Sequence, residues 1–359
     1  MHNIAVIGCG YWGPNLIRNF RSIPEVRVRT VCDKSPERLN HTRSVYPEVE
    51  TTDDLGRVIS DLAIDMVAIA TPVATHHALA AACLTAGKHT LVEKPLAATS
   101  GQCGELIELA RARSLTLMIG HTFIYTATVR KIKEIIDSGE IGELMYICCR
   151  RLNLGLFQKD INVAWDLAPH DISIILYFLG VMPLSVNCQG KAHIAPGIED
   201  VTNISMSFAN GSFATIQSSW IDPRKIREIT IVGTKKMIVY DDTEPLEKIR
   251  IYDKSVECPP HYDTFGEFQY SYHYGDIHSP FVRQEEPLRA ECQHFVDCVD
   301  GSLRPDSGGP EGLAVVRVLE AANESLRDRG RSVPLESAPA TGTVNGDPII
   351  ARESIRVGG

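Results

Sequence analysis

Residues Gly8-Cys9-Gly10-Tyr11-Trp12-Gly13 form a G-x-G-x-x-G run. No other feature of the chain constrains its fold as strongly. The run follows the apolar stretch Ile4-Ala5-Val6-Ile7 and opens a helical pattern over 15–20, with Pro14 at its start where a missing N–H costs little. Strand, glycine turn and helix in that order is the context in which such a run binds a dinucleotide. The first glycine makes the turn, the second lets backbone approach a pyrophosphate, and the third lets helix pack on strand. The helix N-terminus then faces the negative charge. Gly8, Gly10, Tyr11, Trp12 and Gly13 are therefore candidate cofactor-binding positions. A tight turn without a ligand is the bland alternative.

The next hundred residues repeat the alternation. Short, mostly apolar strands are expected at 26–31, 66–70, 90–92 and 115–119. Helices are expected after Ser35, a plausible N-cap, and over 78–85 and 102–113. Apolar strands alternating with helices mean a parallel sheet covered on both faces, wound doubly. The pattern changes after His121. A helix over 128–137 is followed by strand-like segments at 144–151, 185–191, 201–208, 212–219, 227–232 and 237–240, several with period-two alternation. Asn210-Gly211 suits a tight hairpin turn. Pro169 marks the start of a helix that Gly180 ends, and two further helices lie near 286–299 and 312–327. The predicted organisation is an α/β domain over 1–121, an α+β domain with an open, mostly antiparallel sheet over 122–334, and an extended or mobile tail over 335–359.

Composition narrows the class. Of 359 residues, 44% are hydrophobic and 23% charged, the balance of a globular chain. A net charge of −9 disfavours nucleic acid as a partner, and no apolar run is long enough for a membrane span. The N-terminus has neither a basic n-region nor a cleavage site, so a cytoplasmic location is expected. Ten scattered cysteines form no C-x-x-C pair and read as reduced, mostly buried thiols.

Four more segments carry chemistry. Asp33 ends the second strand, where a carboxylate takes both ribose hydroxyls of an adenosine. A 2′-phosphate there meets negative charge, so NAD is favoured over NADP, although Lys34 weakens the exclusion. Thr71-Pro72 ends the third strand and can offer backbone groups to a cofactor. His76 is expected to line the cleft and His77 the surface; adjacent histidines diverge on a helix, so no metal site is predicted. Glu93-Lys94-Pro95 ends the fourth strand, near a nicotinamide bound at the switch point, and the Lys94 ammonium could stabilise a forming alkoxide. In Trp165-Asp166-Leu167-Ala168-Pro169-His170-Asp171, Asp166 and His170 are four apart. They share one face if the segment is helical, whereas Pro169 points to a helix that begins there. Histidine has the pKa for general-base work near neutrality.

These motifs, in this order over about residues 1–330, resemble the Gfo/Idh/MocA oxidoreductases. Gly8, Gly10, Gly13, Thr71-Pro72 with His76, Glu93-Lys94-Pro95, Asp166 and His170 carry the resemblance. It implies an N-terminal Rossmann domain, a C-terminal α+β domain whose sheet mediates oligomerisation, as a homodimer or homotetramer, and NAD(P)-dependent hydride transfer at a secondary alcohol of a sugar or cyclitol. Lys94 would hold or polarise the reacting oxygen, His170 would take the alcohol proton, and Asp166 would bind a neighbouring hydroxyl. Pro95 would follow a cis peptide. Gly-Tyr-Trp-Gly and Trp-Asp-Leu-Ala-Pro-His-Asp look most like the branch acting at C3 of nucleotide-linked hexoses, in surface polysaccharide or antibiotic sugar pathways. An inositol or free-sugar dehydrogenase, a 3-keto-sugar reductase and a non-catalytic cofactor-binding regulator are the alternatives. Tyr125, Arg151, Asn153 and Trp165 are candidate substrate contacts, with Arg150, Phe157 and Lys159 near them. Six aromatic residues between Tyr262 and Tyr274 are expected at a subunit interface or sheet edge rather than stacked on a nucleobase.

Overall fold

The computed structural model describes residues 1–257 and 271–335. The first sheet takes its strands from β1 (His2–Ile7), β2 (Val26–Cys32), β3 (Glu50–Thr52), β4 (Met66–Ile69), β5 (His89–Glu93) and β6 (Leu117–Gly120). All neighbours are parallel, in the order β3-β2-β1-β4-β5-β6. The crossovers run through α1 (Gly13–Arg21), α2 (Pro36–Val45), α3 (Leu55–Ser60), α4 (His76–Thr85) and α5 (Ser100–Ala112). Strand order reverses at β1, so a crevice opens beyond the carboxyl ends of β1 and β4. β4 and β6 are buried throughout, as a sheet covered on both faces requires. Ser35 caps α2 through its side chain.

The second sheet has nine strands in the order β14-β13-β12-β11-β7-β10-β9-β8-β15. These are β7 (Leu144–Leu154), β8 (Ser185–Lys191), β9 (Val201–Ser207), β10 (Phe213–Ser219), β11 (Ile221–Gly233), β12 (Met237–Asp241), β13 (Ile249–Glu257), β14 (Ser271–His278) and β15 (Val333–Pro334). Only β7 and β10 pair in parallel; the rest of the sheet is antiparallel. The β9–β10 hairpin turns through Asn210-Gly211 with Gly211 at φ +82°. One face of this sheet packs on α6 (Ala127–Asp137), α7 (Val163–Leu179) and the return helix α9 (Gly309–Arg327) around Ile147, Ile204, Met206 and Ile216. Each such side chain contributes about 1.5–3 kcal/mol on burial. The opposite face leaves Tyr146 and Phe213 exposed and directly paired.

One expected boundary is wrong. α7 begins at Val163, six residues before Pro169, because the Asn162 side chain accepts from Trp165 N at 3.1 Å and caps it there. Pro169 lies inside the helix and leaves the Trp165 carbonyl without its usual donor, a loss of about 3 kcal/mol. Ten buried residues on the helix, from Val163 to Phe178, offset it. Gly180 ends it in the left-handed conformation at φ +66°.

The late helices return to the first domain. Arg18 and Asn19 of α1 bond Glu286, which precedes α8 (Pro287–Val299), and Phe20 meets Phe295 edge-on. α9 packs against α5, α7, β6 and β8. Nine of the cysteines are described, and all nine are free. Of the aromatic run only Tyr272 and Tyr274 are described, exposed and stacked at 6.4 Å on β14; the other four, Cys258 and the tail beyond Leu335 lie outside the described residues. No described helix is long and apolar enough to cross a membrane.

Candidate active site

The glycine turn is sterically closed to side chains. Gly8 sits at φ +94°, and a Cβ there would lie 2.5 Å from the Ala70 carbonyl oxygen. A Cβ on Gly13 would run into the Gly8 carbonyl. Gly10 faces open space, its nearest neighbour being Arg38 Nη1 at 3.7 Å. α1 has no side-chain cap and no acid in its first turn; Pro14 has no N–H and Asn15 N bonds the Trp12 carbonyl, so the groups the helix start offers an anion are the N–H groups of Trp12 and Gly13. A cavity of about 530 Å³ runs from this turn past Asp33 to Thr71, Pro72 and Thr75. Tyr11 lines it and is 85% exposed, while Trp12 sits outside its lining and meets Tyr11 edge-on.

Asp33 is fixed by the loop it serves. Its Oδ2 accepts from Cys9 N at 2.6 Å and its Oδ1 from Ser35 N at 2.7 Å. Each carboxylate oxygen can accept two hydrogen bonds and here accepts one, so both keep a lone pair for ribose hydroxyls. Arg38 Nη1 stands 3.6 Å from Oδ2, and Lys34 turns away to donate to the Asp53 carbonyl. Open backbone at Gly10, the N–H groups at the start of α1 and the Asp33 carboxylate at the end of β2 together fit a dinucleotide.

His76 does not line the cleft. It is buried, with Nδ1 2.8 Å from the Pro95 carbonyl and Nε2 2.8 Å from the Thr71 carbonyl. It therefore clips the Thr71-Pro72 turn to the Glu93-Lys94-Pro95 turn. Two carbonyl partners favour a doubly protonated ring, but burial is stronger and lowers its pKa. His77 pairs with Glu105 at the surface. The Lys94–Pro95 peptide is cis.

Lys94, Asp166 and His170 converge at the carboxyl edge of the sheet. Lys94 Nζ donates to the Asp166 carbonyl at 3.0 Å. Protein surrounding the ammonium pushes its pKa below the ordinary lysine range; Asp166 and Glu93 pull it back. Because α7 is already helical at 166, Asp166 and His170 share a face one turn apart. Asp166 Oδ2 accepts from Trp220 Nε1 at 3.0 Å. The His170 ring packs edge-on to Phe123 at 4.7 Å, and its buried Nδ1 has no hydrogen-bond partner. Burial first, then the positive charges of Lys94 and Arg151, hold it well below the ordinary histidine range. The imidazole rests neutral, the state a general base needs.

Glu93 is not a surface partner of Lys94. Its carboxylate packs over Gly120, where a Cβ would come within 2.9 Å, and accepts from Lys94 N at 3.3 Å. Burial raises its pKa to about 7. Glu291 of α8 is also fully buried, accepts from Thr122 Oγ1 at 2.8 Å, and is raised by burial and by the neighbouring Glu93.

Two expected substrate contacts are otherwise engaged. Tyr125 is 2% exposed and its hydroxyl meets Ser307 Oγ at 2.9 Å. Arg151 forms a buried two-pronged pair with Asp171 at 2.8 and 2.9 Å, and its guanidinium covers the Phe123 ring. Both apolar surroundings and a committed partner take these groups away from a ligand. Asn153 Oδ1 and Trp165 Nε1 are buried without a partner. The sequence reading missed Trp220, which aims Asp166, and His121, the residue after β6, whose two ring nitrogens are buried and unpartnered. His121 had one available signal, its place at the carboxyl end of a central strand. No cluster among the described residues could hold a metal ion.

A parallel six-stranded sheet with a glycine turn and a carboxylate at the end of its second strand, joined to a second domain whose helix α7 supplies Asp166 and His170, defines a two-domain nicotinamide-dependent oxidoreductase. The chain belongs to the GFO/IDH/MocA family: residues 2–121 match its NAD-binding Rossmann-fold oxidoreductase domain and residues 129–239 its C-terminal domain. The uncharacterized oxidoreductase YrbE of Bacillus subtilis (strain 168) is 25% identical over 338 residues, 90% of this chain and 93% of its own length. The myo-inositol 2-dehydrogenase of Thermotoga maritima is 23% identical over 354 residues, 93% of this chain and 98% of its own. The solved UDP-N-acetylglucosamine 3-dehydrogenase GnnA of Acidithiobacillus ferrooxidans shares the fold, with TM-score 0.76, 22% identity and coverage of 92% of this chain and 99% of that one.

Proposed function

We propose that this enzyme transfers a hydride between NAD and C3 of a nucleotide-linked hexose or hexuronate. The observation that carries the reading is the convergence of Lys94, Asp166 and His170 at the carboxyl end of β5, which His76 clips to the Thr71-Pro72 turn that lines the dinucleotide cavity. Bound nicotinamide supplies the hydride acceptor. The chain's own groups do the rest. Lys94 donates to the oxygen on which negative charge grows. His170, neutral and facing Phe123, takes the hydroxyl proton. Asp166, held by Trp220, accepts from a neighbouring hydroxyl and sets which carbon faces the cofactor. Arg151 and Asp171 hold Phe123 and His170 in place from behind.

A nucleotide-linked substrate is supported by the Gly-Tyr-Trp-Gly loop and the Trp165–Asp171 segment, and by the likeness to GnnA. Similarity to the inositol dehydrogenase keeps a cyclitol as the second reading. The exposed Tyr146–Phe213 pair on the open face of the second sheet supports a homo-oligomer formed there. The test mixes stoichiometric enzyme with NAD and a panel of UDP- and dTDP-hexoses, hexuronates, free sugars and inositols, and follows NADH absorbance. A signal confined to nucleotide sugars is expected. A signal confined to inositol or free sugars replaces the reading with the second one.

A further inference from the structure

His170 must lose the proton it gains, and its Nδ1 is buried with no acceptor in reach of a hydrogen bond. The adjacent structure supplies a route. Ser173, Tyr177 and Gly180 continue the His170 face of α7 at helical spacing. These three residues line a cavity of about 390 Å³ between α7 and α9, and His121 lines it as well. The cavity reaches the surface at Gly180, Val181 and Pro310, all exposed. The turn that follows His121 packs on α7.

His121 is an unusual lining residue. It is 1% exposed, yet neither ring nitrogen has a partner. Buried polar atoms left unpaired are costly, so such a pair calls for a partner. A cavity of this size holds water, and water would satisfy them. Asp306 and Glu311 on the opposite wall give the cavity polar groups beside its apolar ones.

We propose that His121 and this cavity form the proton outlet of the active site. The inference rests on the hydride-transfer reading above. During oxidation bound nicotinamide would take the C–H electron pair as hydride, which leaves the hydroxyl proton for this chain's own groups to carry away. The hydroxyl proton passes to His170 Nε2, and His170 gives its Nδ1 proton, through an intervening water, to a His121 ring nitrogen. His121 releases its other proton to water in the cavity and so to bulk solvent. In reduction each transfer reverses. Burial and the Lys94 charge bring the His121 pKa down to about 3, so the ring does not retain the proton it relays.

A high-resolution crystal structure gives a readout that needs no sugar. Ordered water within hydrogen-bond distance of a His121 ring nitrogen is expected, and a dry cavity overturns the outlet. The kinetic arm uses the panel sugar that wild-type enzyme oxidises. His121→Ala should lower kcat about 100-fold with KM and NAD affinity unchanged, and raise the solvent isotope effect. Added imidazole should restore the rate through the cavity. Ala314→Phe, which narrows the cavity without touching His121, should lower kcat in the same way. Unchanged kcat and isotope effect in both variants, or loss in His121→Ala that imidazole leaves untouched, overturns the proposal. If wild type reduces no NAD with any sugar, the hydride-transfer reading itself has failed, and this outcome is distinct from normal wild-type turnover with indifferent variants.

Discussion

Replacing Lys94 with methionine removes a charge and almost no volume. The ammonium sits among protein atoms, with the Asp166 carbonyl 3.0 Å away. A hydrogen-bonded alkoxide would stand at about 3 Å, where the attraction is about 332/(20 × 3) ≈ 5.5 kcal/mol at an effective dielectric of about 20. A neutral alcohol draws only a small part of this, so most of it acts in the transition state alone. At 1.36 kcal/mol per decade the loss in kcat/KM is about 10³- to 10⁴-fold. NAD affinity should hold, because the dinucleotide cavity is built from β1, β2 and β4 rather than from Lys94. Stability should hold or rise, since burial opposes the Lys94 charge. Stopped-flow NADH absorbance, NAD titration by protein fluorescence and thermal melts read the three quantities. A fall in kcat/KM of less than about tenfold would refute the assignment of Lys94 to the reacting oxygen.

Glu93→Gln tests the buried carboxyl. With a folded pKa of about 7 against 4.5 unfolded, the native state keeps a proton that the unfolded chain has lost, so wild-type stability falls as pH rises through that window. The variant should exceed wild type by about 2.5 × 1.36 ≈ 3 kcal/mol above pH 7, and the gap should vanish below about pH 4.5, as measured by urea unfolding. Trp220→Phe removes the donor to Asp166 Oδ2 and should cost kcat/KM about 10- to 100-fold, with kcat/KM for a sugar deoxygenated beside C3 much less affected. Asp33→Ala should weaken NAD about 10- to 100-fold and narrow its advantage over NADP; an intact preference in a binding titration would remove Asp33 from the ribose.

The first sheet was legible because its strands are buried on both faces and the glycines that end β1 admit no side chain. β3 and α3 went unread: Glu50-Thr51-Thr52 is short and polar at a sheet edge, where little apolar surface has to be buried. β14 hid because it is exposed along its whole length, whereas β13 buries Ile249 and Ile251 and was missed although its Ile-Arg-Ile alternation was there to read. Pro169 misled because propensity is local, whereas Asn162 and ten buried residues are what hold α7. In the site, residues announced by spacing were placed on the right elements, but spacing says nothing about partners. Arg151 was invisible as a member of an ion pair because Asp171 lies 20 residues away, and Tyr125 because Ser307 lies 182 away. Trp220 and His121 carry no motif and matter only through what the fold brings beside them.

The return of α8 and α9 sets an order on synthesis. β6 closes the first sheet, yet Ile119 donates to the Ser307 carbonyl at 2.7 Å and accepts from Ser307 Oγ at the same distance, across 188 residues of chain. Phe20 likewise waits for Phe295. Emerging from a ribosome, the cofactor-binding half is therefore a sheet with one flank open until the segment around Ser307 appears. Holding that flank in solution without pairing it wrongly is a task for the nascent chain's surroundings. A protein cut at its domain junction would inherit the problem permanently, so the dinucleotide-binding half is a poor candidate for expression alone.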